Sequence, residues 1–162
     1  MSAADWNAVL ATFADWPGGR LVRESALAWL IANACHVLGL ALLVGAIVPL
    51  DLRLMGVARS LPLADLGPFL RRVAACGLGL AAATGVLMLS AKPAEYLANP
   101  AFQTKLVLLA AALANVLLLQ RSAAFARALG GGEISPGVRL GAAVSAFLWL
   151  AVLAAGRTVG FA

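Results

Sequence analysis

The stretch that decides the fold is LAWLIANACHVLGLALLVGAIVPL, residues 27–50. It contains no charged residue, and the nearest charges are Glu24 before it and Asp51 after it. A helix needs about 20 mostly apolar residues to cross the hydrocarbon core of a bilayer. Because unpaired backbone polar groups are costly in hydrocarbon, such a run must be helical. Residues 27–50 are therefore predicted to form a membrane-spanning helix.

Three further stretches are equally apolar and of similar length: residues 69–90, 101–120 and 138–159. Hydrophobic residues make up 63% of the 162-residue chain and charged residues 12%, whereas soluble proteins have about 45–50% and about 25%. The sequence also lacks the alternating polarity of a transmembrane barrel. We therefore predict an all-α polytopic membrane protein, in which residues 20–162 form a bundle of four transmembrane helices.

The N-terminal segment, residues 1–19, is predicted to be a separate amphipathic helix at the membrane interface. Its apolar residues recur at helical spacing while polar residues take the other side, which is the pattern of an interfacial helix. The apolar positions are Trp6, Val9, Leu10 and Phe13. We expect Pro17, Gly18 and Gly19 to end this helix.

Caps and small residues predict where the spans begin and where they touch. Asn99 before Pro100, and Ser135 before Pro136, combine a capping side chain with the residue favoured at the first helical position. Residues 93–99, PAEYLAN, are too short and polar to span and are predicted to form an interfacial helical turn. Small residues allow transmembrane helices to approach closely. The predicted contact positions are Gly77, Ala81 and Gly85 in the second span, Ala41 and Gly45 in the first, and Gly156 and Gly160 in the fourth.

The distribution of basic residues predicts the orientation. The first and third connections hold seven arginines: Arg53, Arg59, Arg71, Arg72, Arg121, Arg127 and Arg139. Since cytoplasmic connections are enriched in Lys and Arg, we expect a bacterial inner-membrane protein with both termini in the periplasm. The basic residues are scattered at the ends of apolar runs, so the expected partner is the lipid bilayer and no nucleic acid is expected.

Polar residues inside the spans are costly and are the candidate functional residues. His36 lies about nine residues into the first span, or about 13 Å deep at the helical rise of about 1.5 Å per residue. The alternating directions of the spans place further polar or ligating side chains in the same half of the bilayer. These candidate cofactor-binding residues are Asn33, Thr84, Met88, Lys105 and Arg157. Alternatively, Lys105 and Arg157 reach the headgroups, and a neutral His36 bonds to Asn33 or to a facing helix.

At the opposite end of the spans, Asp51 is predicted to form a structural ion pair with Arg53 or Arg72. A single histidine excludes a bis-histidine haem or a histidine-cluster metal site within one chain. A haem with His36 as its one histidine ligand, open or completed by Met88 or by a second subunit, remains compatible with the sequence. No second histidine is present to serve a nucleophile as its base, so no hydrolytic reaction is indicated.

Four short stretches carry a resemblance to known membrane proteins: HVLGLALLVGAIVPLDLRLMG (residues 36–56), TGVLMLS (84–90), YLANPAFQTKL (96–106) and AAGRTVGF (154–161). Together they resemble small uncharacterised four-helix bacterial membrane proteins. These are similar in turn to the copper-resistance D membrane domain and, more distantly, to the haem-containing bacterial protoporphyrinogen oxidase. The resemblance implies a functional histidine in the first helix and a lysine at the start of the third, here His36 and Lys105.

Three functions follow from these residues. The first is a binding or redox module that holds haem b or a quinone in the outer half of the bundle through His36. No other metal ligand is expected, and His36 would bind a metal only as a ligand to haem iron. The second is a non-catalytic accessory subunit of a larger membrane complex, without a cofactor. The expected protein partners are such a complex or further copies of the same chain. The third and weaker one is a metal or small-solute transporter, for which no inverted repeat or discontinuous helix is visible. The sequence assigns no reaction.

Overall fold

The computed structural model describes residues 3–158, and over this range the chain is built from helices. In chain order they are α1 (Ala3–Ala14), α2 (Pro17–Glu24), α3 (Ala26–Met55), α4 (Leu63–Ala91), α5 (Pro93–Ala98), α6 (Pro100–Arg121), α7 (Ala123–Leu129) and α8 (Pro136–Thr158). We call the end of the bundle where α3 and α6 begin the His36 end, and the opposite end the Asp51 end.

Four of these helices, α3, α4, α6 and α8, are long and apolar enough to cross a membrane. The chain is therefore an all-α, multi-pass membrane protein, and the prediction of four long apolar helices is confirmed. The last residue of the fourth predicted span, residue 159, and the predicted contact at Gly160 lie outside the described residues. Both α3 and α4 extend further than predicted at the Asp51 end. Pro49 lies within α3 without ending it, and the helix stops only where Gly56 takes a left-handed conformation with φ of 104°. Glycine reaches this conformation without the steric cost of a Cβ atom.

The N-terminal segment differs from the prediction. The break falls after Ala14, and Pro17 is the first residue of a second short helix, α2, rather than the end of the first. Proline favours this position because its missing N–H is not needed there. Arg23 of α2 joins the two helices by donating to the Ala14 carbonyl and to the Asp15 carboxylate, each at 3.1 Å. The predicted boundary at residue 19 therefore lies inside α2.

Helices α3 and α4 make the closest contact of the bundle, and glycine makes it possible. A Cβ atom on Gly77 would lie 2.5 Å from the backbone nitrogen of Leu43 and 2.7 Å from the Gly39 carbonyl oxygen. The predicted contact at Gly77 and Ala81 of α4 is therefore confirmed. On α3, however, the contact face runs through Gly39, since Ala41 is exposed and nothing lies within 4 Å of a Cβ on Gly45.

The four spans are arranged in the order α4, α3, α8, α6. Helix α3 packs against both α4 and α8, and α8 packs against α6. Trp149 of α8 is 2% exposed and lies at the centre, in a cluster that takes residues from all four spans. Its other buried members are Leu43, Ala46, Ala74 and Ala112. Ala112 is the one fully buried residue of α6, so α6 is the span with the largest face free for lipid or another molecule.

The connection after α6 contains a separate short helix, α7. The backbone turns at Ser122, whose hydroxyl accepts from the Phe125 amide at 3.4 Å at the start of α7. Phe125 is buried in a cluster with Leu50, Leu54 and Leu63. Burial of this aromatic ring explains why the segment folds back over the Asp51 end rather than extending away from it.

Candidate functional site at the His36 end

His36 lies on the face of α3 that is turned toward α4. Its Nδ1 atom is 2.9 Å from the Ala81 carbonyl oxygen and 3.2 Å from the Thr84 hydroxyl oxygen. The side chain is half-buried. Of the two bonding arrangements predicted for a structural His36, the structure forms the one to a facing helix.

The Ala81 carbonyl determines which nitrogen of a neutral His36 carries the proton. A carbonyl oxygen can only accept, so Nδ1 is the donor in this contact. In the neutral imidazole, Nε2 is then the atom with the free electron pair. Within residues 3–158, Nε2 forms no hydrogen bond. His36 thus bonds to α4 through Nδ1, while Nε2 has no hydrogen-bond partner among the described residues.

Two residues of α4 shape the space around the imidazole. The Thr84 hydroxyl donates to the Leu80 carbonyl at 2.6 Å, so its oxygen can accept from Nδ1. Gly85 lies one turn from Ala81, and a Cβ atom there would lie 3.1 Å from Cε1 of His36. The absence of a side chain at Gly85 therefore gives the imidazole its place against α4.

Lys105 approaches the same end of the bundle from α6. Its side chain is half-buried and lies along α8, where a Cβ on Gly156 would be 3.6 Å from Nζ. Arg157, next to Gly156 on α8, is exposed. The structure therefore brings His36 and Thr84 into contact between α3 and α4. Lys105 and Arg157 lie at the same end of the bundle, on α6 and α8.

Two other candidates, both within the described residues, form no hydrogen bond with His36. Asn33 is exposed on α3. Met88 is half-buried one turn beyond Thr84 and packs against the cluster formed by Val22, Ala32 and Ala91. In this arrangement Met88 belongs to the contact between α2 and the spans, and its predicted part in the site stays a prediction.

An aromatic pair lies at the same end of the bundle, on α5 and α6. The rings of Tyr96 and Phe102 are 5.6 Å apart between centroids. Burial raises the pKa of Tyr96, which keeps its hydroxyl protonated as a hydrogen-bond donor. The Asn99 side chain caps α6 by accepting from the Ala101 amide at 2.9 Å and the Phe102 amide at 3.3 Å, which confirms the predicted cap.

The profile of a protein family of unknown function, DUF6644, matches residues 25–162. The chain belongs to this DUF6644 family. The match takes in all four spans, including His36 and the residues that contact it, and it leaves out α1 and α2. No curated protein matches the chain. No solved structure matches it either.

At the Asp51 end, the DUF6644 chain does not form the predicted ion pair. Asp51 is 3% exposed and lies beside Ser145 of α8. Arg53 turns away and donates to the Leu61 and Arg59 carbonyls at 2.9 Å and 3.1 Å, while Arg72 is exposed. The physical reason is helical geometry, because residues two apart on a helix do not face each other. Arg53 instead satisfies the carbonyls of the turn that follows α3.

Three features of these regions in the DUF6644 protein were not predicted from the sequence. They are the bond from His36 to the Ala81 carbonyl, the burial of Ser145 and Trp149, and two buried polar atoms without hydrogen-bond partners in the described chain. The Ala81 carbonyl that holds His36 leaves no mark in a sequence. Ser145 and Trp149 lie one turn apart on α8 and are both buried, and Trp149 Nε1 and Asp51 Oδ2 lack hydrogen-bond partners in the described chain. Ser145 was detectable as a polar residue in the middle of a span.

Proposed function

We propose that this DUF6644 protein is a binding or redox module that holds haem b or a quinone at the His36 end of the bundle. The observation that carries the proposal is that the two nitrogen atoms of the His36 imidazole differ in their hydrogen bonding. Nδ1 is held by the Ala81 carbonyl at 2.9 Å, and Nε2 is left for a ligand. Histidines that bind metals in proteins commonly donate their other N–H to a backbone carbonyl, which fixes the ring and its tautomer.

The residues fit either group. An imidazole Nε2 with Nδ1 bonded to a carbonyl suits haem iron, which a single histidine can ligate. The same nitrogen can accept a hydrogen bond from the hydroxyl of a reduced quinone, and Lys105 can donate to a quinone carbonyl. For haem, the cationic Lys105 and Arg157 would neutralise the propionates.

Each residue has a separate part in this proposal. A bound haem would supply one-electron chemistry, and a bound quinone would carry electrons together with protons. His36 provides the ligating or accepting nitrogen, and Ala81 and Thr84 hold the ring in place. Gly85 leaves room for the ring, and Lys105 supplies positive charge beside it.

Variants at two polar positions test the proposal. His36→Ala removes Nε2 and should abolish the haem absorption band, or the quinone recovered by solvent extraction, from the purified protein. Asn115→Ala is the matched control, because Asn115 is an intramembrane polar residue of α6 whose side chain donates to the Gly141 carbonyl at 3.1 Å near the Asp51 end. It should lose a hydrogen bond and keep the ligand. Equal ligand loss in both variants, or none in His36→Ala, would contradict the proposal.

A second candidate is a non-catalytic accessory subunit of a larger membrane complex. The observation that favours it is α6, where Ala112 is the one fully buried residue. In this case His36 only satisfies the α4 backbone, and His36→Ala lowers stability or recovery of the complex while no cofactor is present in the wild type. A monomer that retains a bound ligand would contradict this candidate.

We infer that the protein lies in the bacterial inner membrane with both termini in the periplasm. Seven arginines in the first and third connections favour this orientation. Single cysteines at Ser2 and Gly131, in a background without Cys35 and Cys76, should react from opposite sides with an impermeant maleimide. The cysteine replacing Ser2 should be labelled in intact spheroplasts and the one replacing Gly131 should not. The reverse pattern would invert the orientation and turn the His36 end toward the cytoplasm.

A further inference from the structure

Two adjoining cavities lie at the Asp51 end, away from His36. The first, of about 470 Å³, is a groove between α6 and α8, walled mainly by Leu118, Leu119, Leu140 and Val144. The second, of about 690 Å³, lies beside the turn between α7 and α8 and is bordered by Arg127 and Glu133. Ser135 borders both cavities, so they adjoin. We call them the apolar groove and the loop cavity.

The apolar groove lies along the last two turns of one span and the first two of another. Leu118 and Leu140 border it and are 71% and 67% exposed, so the groove opens toward the surface of the bundle. This surface faces lipid at the depth of the spans. The groove runs about 10 Å along α6, from residue 115 to residue 122, at about 1.5 Å per residue. Its walls and position suit part of an acyl chain.

The loop cavity carries one charge of each sign. Arg127 and Glu133 both border it, and within the described residues neither takes part in an ion pair within 4.0 Å. A guanidinium is well suited to a phosphate, and a carboxylate accepts hydrogen bonds from an ammonium group. The loop cavity can therefore bind a phosphate at Arg127 and an ammonium group at Glu133, and the apolar groove beside it suits a hydrocarbon chain.

We propose that the apolar groove and the loop cavity together bind one zwitterionic phospholipid with a primary ammonium headgroup, phosphatidylethanolamine in chemical class. Its phosphate lies at Arg127, its ammonium at Glu133, and one acyl chain enters the groove. A choline headgroup has no N–H to donate to Glu133. A phosphatidylglycerol headgroup has no positive group and brings a net negative charge near that carboxylate. The site is independent of any ligand at His36.

Lipid binding to the purified wild-type protein can be measured by native mass spectrometry, with phosphatidylethanolamine, phosphatidylcholine or phosphatidylglycerol of identical acyl chains. Wild type should retain the ethanolamine lipid best. Glu133→Gln should lower its preference over the choline lipid by about two- to fivefold, the size of one exposed charge contact. Arg127→Gln should lower retention of both zwitterionic lipids by a similar factor.

Matched controls are Asp65→Asn and Arg72→Gln, which remove exposed charges at the Asp51 end outside both cavities. They should leave the lipid preference unchanged, and circular dichroism should show the same helicity in all four variants. Stronger retention of phosphatidylglycerol would overturn the proposal. So would equal effects of cavity and control variants, or a stable dimer that Arg127→Gln and Glu133→Gln dissociate, which would identify a second copy as the occupant.

Discussion

Replacement of Gly77 by alanine should separate α3 from α4 and destabilise the bundle. The added Cβ would lie 2.5 Å from the Leu43 backbone nitrogen, whereas ordinary contacts begin at 3.4 Å. The helices would have to move apart by about 1 Å, because both contacting atoms belong to backbone rather than to a flexible side chain. Overpacking of this kind costs about 1–3 kcal/mol.

Gly79→Ala on the same helix is the control for this variant. Nothing lies within 4 Å of a Cβ on Gly79, so this variant receives only the helix-propensity gain of about 0.5–1 kcal/mol that both substitutions share. We expect the midpoint of thermal unfolding in detergent to be lower for Gly77→Ala than for Gly79→Ala, by about 2–4 °C for each kcal/mol. If Gly77→Ala is as stable as Gly79→Ala, the assignment of the α3 and α4 contact to this glycine is refuted.

Three further predictions concern the sites. Gly85→Ala would place a Cβ 3.1 Å from Cε1 of His36 and should displace the imidazole. The amount of bound haem or quinone per chain should therefore fall, while the helicity measured by circular dichroism is unchanged. An unchanged ligand content would count against this geometry. Asp51→Asn keeps the shape of the side chain beside Ser145 and removes a buried carboxyl group that has no cationic partner. The free energy of unfolding should therefore stay within about 1 kcal/mol of the wild-type value or rise. A loss of about 3–5 kcal/mol would instead indicate a buried ion pair. Asn99→Ala removes the cap of α6 and should cost about 1 kcal/mol in chemical unfolding; no measurable cost would show that the cap is not stabilising.

The spans were predictable because length and polarity alone decide them. Each of the four runs is long enough to cross hydrocarbon, and a bilayer leaves helices as the available structure. The faces by which the spans contact one another could not be predicted in the same way, because a span that is apolar on every side has no periodic pattern of polar and apolar residues. This is why Gly39 was missed and Gly45 was favoured, although only Gly39 lies against α4.

The candidate site was predictable in its residue types and depth but not in its contacts. The sequence placed His36, Thr84 and Lys105 in one half of the bundle. The structure joins His36 to Thr84 there, and it places Lys105 at the same end on α6. The sequence does not show which backbone carbonyl of a facing helix His36 reaches, so the bond to Ala81 could be found only in the structure. The Asp51 pairing failed for a local reason, since Arg53 was judged by its nearness in sequence rather than by its direction on the helix.

The measurement that tests the central claim most directly is the identity and amount of what the wild-type protein binds. Protein purified in mild detergent from haem-replete cells should give a haem spectrum, or a quinone on extraction, at about one molecule per chain or per pair of chains. His36→Ala, purified in parallel with unchanged helicity, should give neither. A colourless and quinone-free wild-type protein would contradict the account and leave His36 as a structural contact between α3 and α4.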